Sequence, residues 1–247
     1  MIENEVLSEE IKEIFEEHKG RYGSKRIVMA LKDKNIITNR IRVRKLMAKM
    51  NLRAISSCKK YRHYGKNLAY ASTDNLLNQV FTTDNKNKIW LGDITYIPTQ
   101  KSFLYLAVFI DVFTRKVVGW AMDTRLKDDL TISAFTQAIC RENPKPGLVV
   151  HTDRGPQYTS DGFLQIVKKH GGISSMSRKG NPYDNALMES FYRTLKTELV
   201  KDSVFKDPEH AKIEIFKYIE LYYNTKRKHS SIGYMTPVEF EKSISTN

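Results

Sequence analysis

Ile89-Trp-Leu-Gly-Asp-Ile-Thr-Tyr-Ile97, followed after a short gap by Phe103-Leu-Tyr-Leu-Ala-Val-Phe-Ile110, decides how this chain folds. The second segment is apolar without interruption, as a strand is when both of its faces are covered. The first carries a carboxylate, Asp93, in its middle. A charge inside a central strand is costly unless something pairs with it. A third strand runs from Lys116 to Met122, and the short links between the three predict an antiparallel meander.

Downstream the pattern alternates. Residues 128–141 predict a helix, with Leu130, Ile132, Phe135, Ala138 and Ile139 available to pack inward. Gly147 to His151 predicts a fourth strand, Ser160 to His170 a helix, and Ile173 to Ser177 a short fifth strand. Gly180-Asn-Pro-Tyr-Asp184 then leads into a long helix reaching about Val200, with Asn181 suited to cap it and Pro182 to its first turn. Leu187, Phe191 and Leu195 read as its core stripe. Residues 209–223 predict one more amphipathic helix. Three strands, helix, strand, helix, strand, helix is the element order of a ribonuclease-H-like domain, an α/β fold with a mixed sheet flanked by helices.

Upstream the chain reads as all-α. Residues 5–19 have apolar positions at helical spacing, a second helix opens at Ser24 as a plausible N-cap, and a third starts near Thr38 or Asn39. Arg40, Arg42, Arg44, Lys45 and Lys49 lie mainly on the outer sides of that third helix. Such a unit is either a helix-turn-helix module or a small bundle with a solvated charged face. Residues 55–82 lose periodicity, and Cys58-Lys-Lys-Tyr-Arg-His-Tyr-Gly-Lys66 interleaves basic and aromatic side chains. In a linker, Lys59, Lys60 and Arg62 would suit a phosphate backbone. The organisation is therefore 1–54 helix-turn-helix-like, 55–82 basic linker, 83–200 ribonuclease-H-like core and 201–247 helical extension with a basic tail.

Composition agrees with a polyanionic partner. The 247 residues carry 41 lysines and arginines against 28 acids, a formal charge of +13. Nucleic acid is the first candidate, and a basic surface that merely keeps the protein dispersed is the alternative. The two cysteines match neither a zinc pattern nor a disulfide framework. No signal peptide and no membrane-length apolar run are seen, so a soluble cytoplasmic protein is expected.

Two more carboxylates stand out beside Asp93. Asp153 closes the fourth strand in His151-Thr-Asp-Arg-Gly-Pro-Gln-Tyr158, and Glu189 lies two turns into the long helix. If the first and fourth strands are sheet neighbours, Asp93 and Asp153 converge and the helix brings Glu189 to them. Clustered carboxylates repel unless cations neutralise them. Oxygen ligands suit Mg²⁺, with Mn²⁺ as a substitute. Two such ions roughly 3.5–4 Å apart activate a nucleophile and stabilise a leaving oxygen of a phosphodiester. Spacing alone is weak support in a chain with 28 acids, and the weight falls on the surrounding residues.

Those surroundings are Trp90-x-x-Asp93-Ile-Thr, His151-x-Asp153-Arg-Gly-x-Gln-Tyr158 and Asp184-Asn-Ala-x-x-Glu189-Ser-Phe, continuing into Leu195-Lys-x-Glu198. Tyr22-Gly-Ser-Lys-Arg-Ile27, Tyr223-Asn-x-x-Arg227-x-His229 and Thr236-Pro237 extend the match. In these motifs the chain resembles, over nearly its whole length, the DDE transposases of the insertion-sequence-three family, specifically their second-reading-frame proteins. Thr152 stands where that family commonly shows serine. The resemblance implies a core shared with retroviral integrases, with Asp93 bridging two metal ions, Asp153 joining it on one and Glu189 on the other. Water would first free a 3′ hydroxyl at the element's end, and that hydroxyl would attack a second phosphodiester. Double-stranded DNA, further copies of the chain, and an upstream-frame protein or fusion supplying a helix-turn-helix and a coiled coil are the implied partners. A nuclease of the same fold that cuts without joining, or a non-catalytic DNA-binding regulator, are the competing functions.

Other residues have two readings each. Asp184 and Asn185 either support Glu189 or favour a helix's positive end. His151 either orients ligands or makes a satisfied hydrogen bond. Asp111 fits a turn better than a metal site. Arg193 and Lys196, past Glu189, and Arg227 and His229 in the tail are candidate grips on DNA phosphate, against a merely solvated surface. Trp90 reads as core.

Overall fold

The computed structural model describes residues 3–55, 74–77, 82–178, 182–201 and 203–245. Contacts group the chain into two compact units, one of Met1–Lys60 with Lys196–Lys201, the other of Tyr61–Leu195 with Asp202–Asn247.

The first unit holds α1 (Asn4–Glu17), α2 (Ser24–Asp33) and α3 (Arg40–Lys49). Leu7, Ile11 and Ile14 from α1, Ile27 and Leu31 from α2, and Val43, Leu46 and Met47 from α3 close one core around Tyr22. Burying each such side chain contributes roughly 1.5–3 kcal/mol. Asn39 caps α3, its side chain accepting from the Arg42 N–H. The expected cap of α2 is shifted by one residue: Gly23 is the N-cap and Ser24 the first helical residue, its hydroxyl facing the Arg40 Nε at 3.4 Å.

The second unit is built on a five-stranded sheet of β1 (Ile89–Pro98), β2 (Phe103–Asp111), β3 (Val117–Asp123), β4 (Val149–Thr152) and β5 (Ile173–Met176). The strand order is β3-β2-β1-β4-β5. β1, β2 and β3 pair antiparallel as the predicted meander, whereas β4 joins β1 and β5 joins β4 in parallel. The parallel steps need crossovers, and α4 (Asp128–Glu142), then α5 (Pro156–Thr159) with α6 (Asp161–Lys169), supply them. One face of the sheet packs Trp90, Ala107, Phe109, Val118 and Val150 against Leu130, Ala134, Phe135 and Ala138 of α4 and Phe163 and Val167 of α6. Trp90 is thus core, its indole N–H donating to Asn87. Gly119 is required here, because a Cβ would overlap the Ala134 carbonyl of α4.

Across the sheet, α7 (Ala186–Leu195) packs on β1 and α8 (Pro208–Tyr218) on β2. A 3₁₀ turn, Pro182–Asn185, precedes α7, and the α-helical run ends at Leu195, where a π-helical turn covers Lys196–Val200. The buried face of α7 is Met188, Phe191, Tyr192 and Leu195, so Met188 takes the place expected of Leu187. The 3₁₀ turn sets the helical phase differently from a continuous helix begun at Asn181. A second π turn, Ile219–Tyr223, follows α8, and α9 (Pro237–Ser245) ends the described chain. This C-terminal segment is held to the sheet by polar clips. The Asn224 amide both donates to and accepts from the main chain of Val117, at 3.0 Å each. Lys116 bridges Glu142 and Glu241 at 2.7 Å each, and Lys86 reaches the other Glu241 oxygen at 2.7 Å.

Candidate active site

Strand register relates the two aspartates. Trp90 pairs with Val150 and Leu91 with His151. Asp93 lies two residues past Leu91 on β1, and Asp153 two past His151, one residue beyond the end of β4; both carboxylates are near enough to act on the Tyr158 phenol. Alternation places Asp93 and His151 on the α7 side, away from Trp90 and Val150. Gly92 beside Asp93 has no room for a Cβ, which would overlap the Phe109 ring.

Asp153 is held by its own loop. One oxygen accepts from the Gly155 N–H at 3.0 Å. Burial pushes its carboxyl above the ordinary carboxylate range, and that backbone bond opposes the shift only in part. The Asp93 carboxylate accepts from the Ile94 N–H at 2.8 Å. Tyr158, on α5, is fully buried, with its ring against Phe163 and Phe109. Its hydroxyl has no hydrogen-bond partner among the described residues. Burial, then the charges of Asp93 and Asp153, hold that phenol well above its usual pKa.

Glu189 stands exposed on α7. Two bonds tie this helix to the strands. His151, completely buried, meets the Ser175 hydroxyl through Nδ1 at 2.9 Å and the Asp184 carbonyl through Nε2 at 3.1 Å. Burial lowers its pKa and favours the neutral ring. Past Glu189, the Tyr192 hydroxyl donates to the Asp93 carbonyl at 2.6 Å.

Asp184 is a buried anchor. Its carboxylate accepts from the Arg178 main chain at 2.8 Å, the Arg178 guanidinium at 3.0 and 3.1 Å, and the Asn75 amide at 2.8 Å. Asn185 beside it is also buried, and its Oδ1 has no partner among the described residues. Arg178, Ser175, Asn75, Tyr158 and Tyr192 were not singled out as site residues from sequence. For Tyr192 the available signal was its place three residues after Glu189, on a neighbouring part of the helix face.

Among the described residues, no three His, Cys, Asp or Glu side chains come close enough together to hold a metal ion. Asp111 is a turn residue, as its position suggested: buried, it accepts from the Asn87 N–H and from the Thr114 N–H and hydroxyl. The tail contradicts expectation. Arg227 and His229 are buried, the guanidinium 5.9 Å from the Tyr223 ring centre and the imidazole 4.7 Å from it. A main-chain bridge between His229 and Met235 folds this segment back. Arg193 is exposed and Lys196 half-buried. On α3, Arg40, Arg44 and Lys45 are exposed, whereas Arg42 turns back to donate to the Asn4 amide oxygen at 2.9 and 3.0 Å. Lys59, Lys60 and Arg62 lie outside the described residues.

The mixed sheet carries Asp93 within β1 and Asp153 one residue past β4, and α7, which bears Glu189, packs on β1. The family models and relatives define the class, a polynucleotidyl transferase with an integrase-type core. Models of the Integrase core domain match residues 83–182 and 172–237, and one of an HTH-like domain matches residues 2–61. The transposase for insertion sequence element IS904 of Lactococcus lactis is 56% identical over 241 residues, covering 98% of this chain and 95% of that protein. Transposase InsF for insertion sequence IS3A of Escherichia coli is 38% identical over 231 residues, covering 92% and 79%. One chain of a simian T-cell lymphotropic virus intasome superposes with a TM-score of 0.51 at 18% identity, covering 87% of this chain and 70% of that one, a likeness of fold. The chain belongs to the IS3 family of insertion-sequence transposases. No helix among the described residues is long and apolar enough to cross a membrane.

Proposed function

We propose that this transposase cuts the ends of an insertion sequence and joins the freed 3′ ends to target DNA through Asp93, Asp153 and Glu189. The observation that supports the reading is the parallel pairing of Leu91 with His151, two residues before Asp93 and Asp153, together with the bond from the Glu189 helix to the Asp93 main chain. The donor chemistry fits Mg²⁺, with Mn²⁺ as a substitute. All three side chains offer oxygen, the buried carboxyl of Asp153 is short of neutralising partners, and Asn185 Oδ1 is a buried acceptor without a donor. Asp93, Asp153 and Glu189 would hold the metal. Such ions make water a nucleophile near neutral pH and stabilise the leaving oxygen of an in-line displacement. The chain's own part is to supply the three carboxylates from β1, the loop after β4 and α7. His151, kept neutral, orients the start of the Glu189 helix and adds no charge to the site.

Double-stranded DNA is the substrate at both steps, and the exposed Arg40, Arg44, Lys45 and Arg193 are its proposed contacts. Two ends must be held together for joining, which requires more than one copy of the chain. One helix-turn-helix reads only a few base pairs. An upstream-frame partner carrying a second module and a coiled coil is therefore part of the proposal.

The test is cleavage and joining on DNA carrying the element's ends, with Asp93→Asn, Asp153→Asn and Glu189→Gln. Each removes a charge and little bulk, so activity should fall to background while DNA affinity stays within about twofold. Near-wild-type cleavage by any one of them removes that residue from the site. Cutting without joining of a pre-cut end would reassign the chain as a nuclease.

A further inference from the structure

The Tyr192 hydroxyl has no part in the reaction just described, yet it makes one of the shortest polar contacts at the site. It lies one turn past Glu189, buried, and donates to the Asp93 carbonyl at 2.6 Å, with the Leu106 carbonyl at 3.4 Å as a weaker second acceptor. The other buried side chains of α7, Met188, Phe191 and Leu195, are apolar. Apolar packing is not directional and tolerates sliding or rotation of a helix. A slip of one residue shifts a helical side chain by 1.5 Å along the axis and 100° around it. Reacting groups must be held within about 0.5 Å, and an error of about 1 Å costs on the order of a hundredfold in rate.

Two polar bonds remove that freedom. The His151 ring holds the Asp184 carbonyl, just before α7 begins, to β4. Tyr192 holds the helix to β1, at the main chain of Asp93 itself. Glu189 lies between these two points. We propose that Tyr192 is a positioning residue: its hydroxyl locks the Glu189-bearing helix onto the main chain of Asp93 and so sets the separation of the two carboxylates. This rests on the reading that Asp93 and Glu189 act in one site.

The experiment compares the full chain with Tyr192→Phe and Glu189→Gln. Three quantities are measured: end cleavage over a Mg²⁺ titration, DNA affinity, and Mn²⁺ affinity from loss of the free-ion electron paramagnetic resonance signal. Loss of one neutral hydrogen bond should weaken Mn²⁺ binding and lower cleavage by about three- to tenfold each. The cleavage defect should be largest at low Mg²⁺, with DNA affinity unchanged. Glu189→Gln should be inactive at every metal concentration, and its activity would instead sink the catalytic reading. With Glu189→Gln inactive, an unchanged Mn²⁺ affinity and Mg²⁺ profile in Tyr192→Phe overturn the role of Tyr192 alone. So does a Tyr192→Phe chain that fails to fold, because the hydroxyl would then be a determinant of folding rather than of position.

Discussion

Asp93 and Asp153 each lie two residues beyond the parallel pair Leu91 and His151, Asp93 within β1 and Asp153 just past the end of β4. Nothing in the local sequence of either aspartate requires this. It follows from β4 entering the sheet beside β1 after the α4 crossover, which brings two distant carboxylates to one edge of the core. The relationship carries a cost, because a carboxyl buried at Asp153 would be better off neutral.

That cost gives the first prediction. A carboxylate whose folded-state pKa is raised binds its proton more tightly folded than unfolded, so stability falls as pH rises from the ordinary carboxylate range through the raised value. Without metal, Asp153→Asn should therefore be more stable than the parent at pH 7, with the difference fading as pH drops into the carboxylate range. Each kcal/mol recovered raises Tm by about 2–4 °C in a chain of this size. Added Mg²⁺ should raise the parent's Tm and leave the variant's unchanged. Thermal melts at several pH values, with and without Mg²⁺, read this directly, and a variant less stable than the parent at pH 7 contradicts it.

Tyr158 makes a second case in which removing a polar atom should do no harm to the fold. Its hydroxyl is buried without a partner among the described residues, next to two acids, whereas that of Tyr192 is bonded. A buried unpaired donor costs about 1–3 kcal/mol. Tyr158→Phe should leave Tm unchanged or higher, while Tyr192→Phe should lower it. Denaturant unfolding of both variants decides the matter, and equal losses would mean that the Tyr158 hydroxyl has a partner of its own.

Asp184 should behave as an anchor for α7 rather than as a ligand. Asp184→Ala strips acceptors from the Arg178 and Asn75 donors, and should destabilise the fold by about 2–3 kcal/mol. Activity should fall but stay above that of Glu189→Gln, since no carboxylate of the proposed triad is lost. Inactivity as complete as that of Glu189→Gln in a folded Asp184→Ala chain would move Asp184 into the chemistry.

What was legible in the sequence was what periodicity and local context carry: the meander, the alternation of strand and helix after it, the small helical unit, and the candidate acids in their motifs. Tertiary partnership was not legible. The tail motif Tyr223-Asn-x-x-Arg227-x-His229 reads as exposed because clustered charge usually is, yet Asn224 pins Val117, and Arg227 and His229 pack around Tyr223. The phase of α7 was misjudged at Leu187 because a 3₁₀ turn begins the element. The bond from Tyr192 to Asp93 joins residues 99 positions apart through a main-chain carbonyl, an acceptor every residue has, so no side-chain pattern marks it.

The remaining prediction concerns α3. Its exposed side carries Arg40, Arg44 and Lys45, while Arg42 is already committed to Asn4. If this helix meets DNA, each exposed cation that neutralises one phosphate releases condensed counterions. The slope of log affinity against log salt then falls by about 0.9 per residue removed. Changing Arg40, Arg44 and Lys45 together to alanine should flatten the slope by about 2.7, whereas Arg42→Ala should lower Tm and move the slope little. Binding to a labelled duplex at four or five salt concentrations measures both. Ile41 is exposed on the same helix, 60% of its surface open, and an apolar side chain there suits contact with a base edge such as a thymine methyl. Ile41→Ser should accordingly reduce preference for the element's ends without changing the salt slope. A triple variant with an unaltered slope would mean that the basic side of α3 faces solvent, and that DNA is gripped elsewhere.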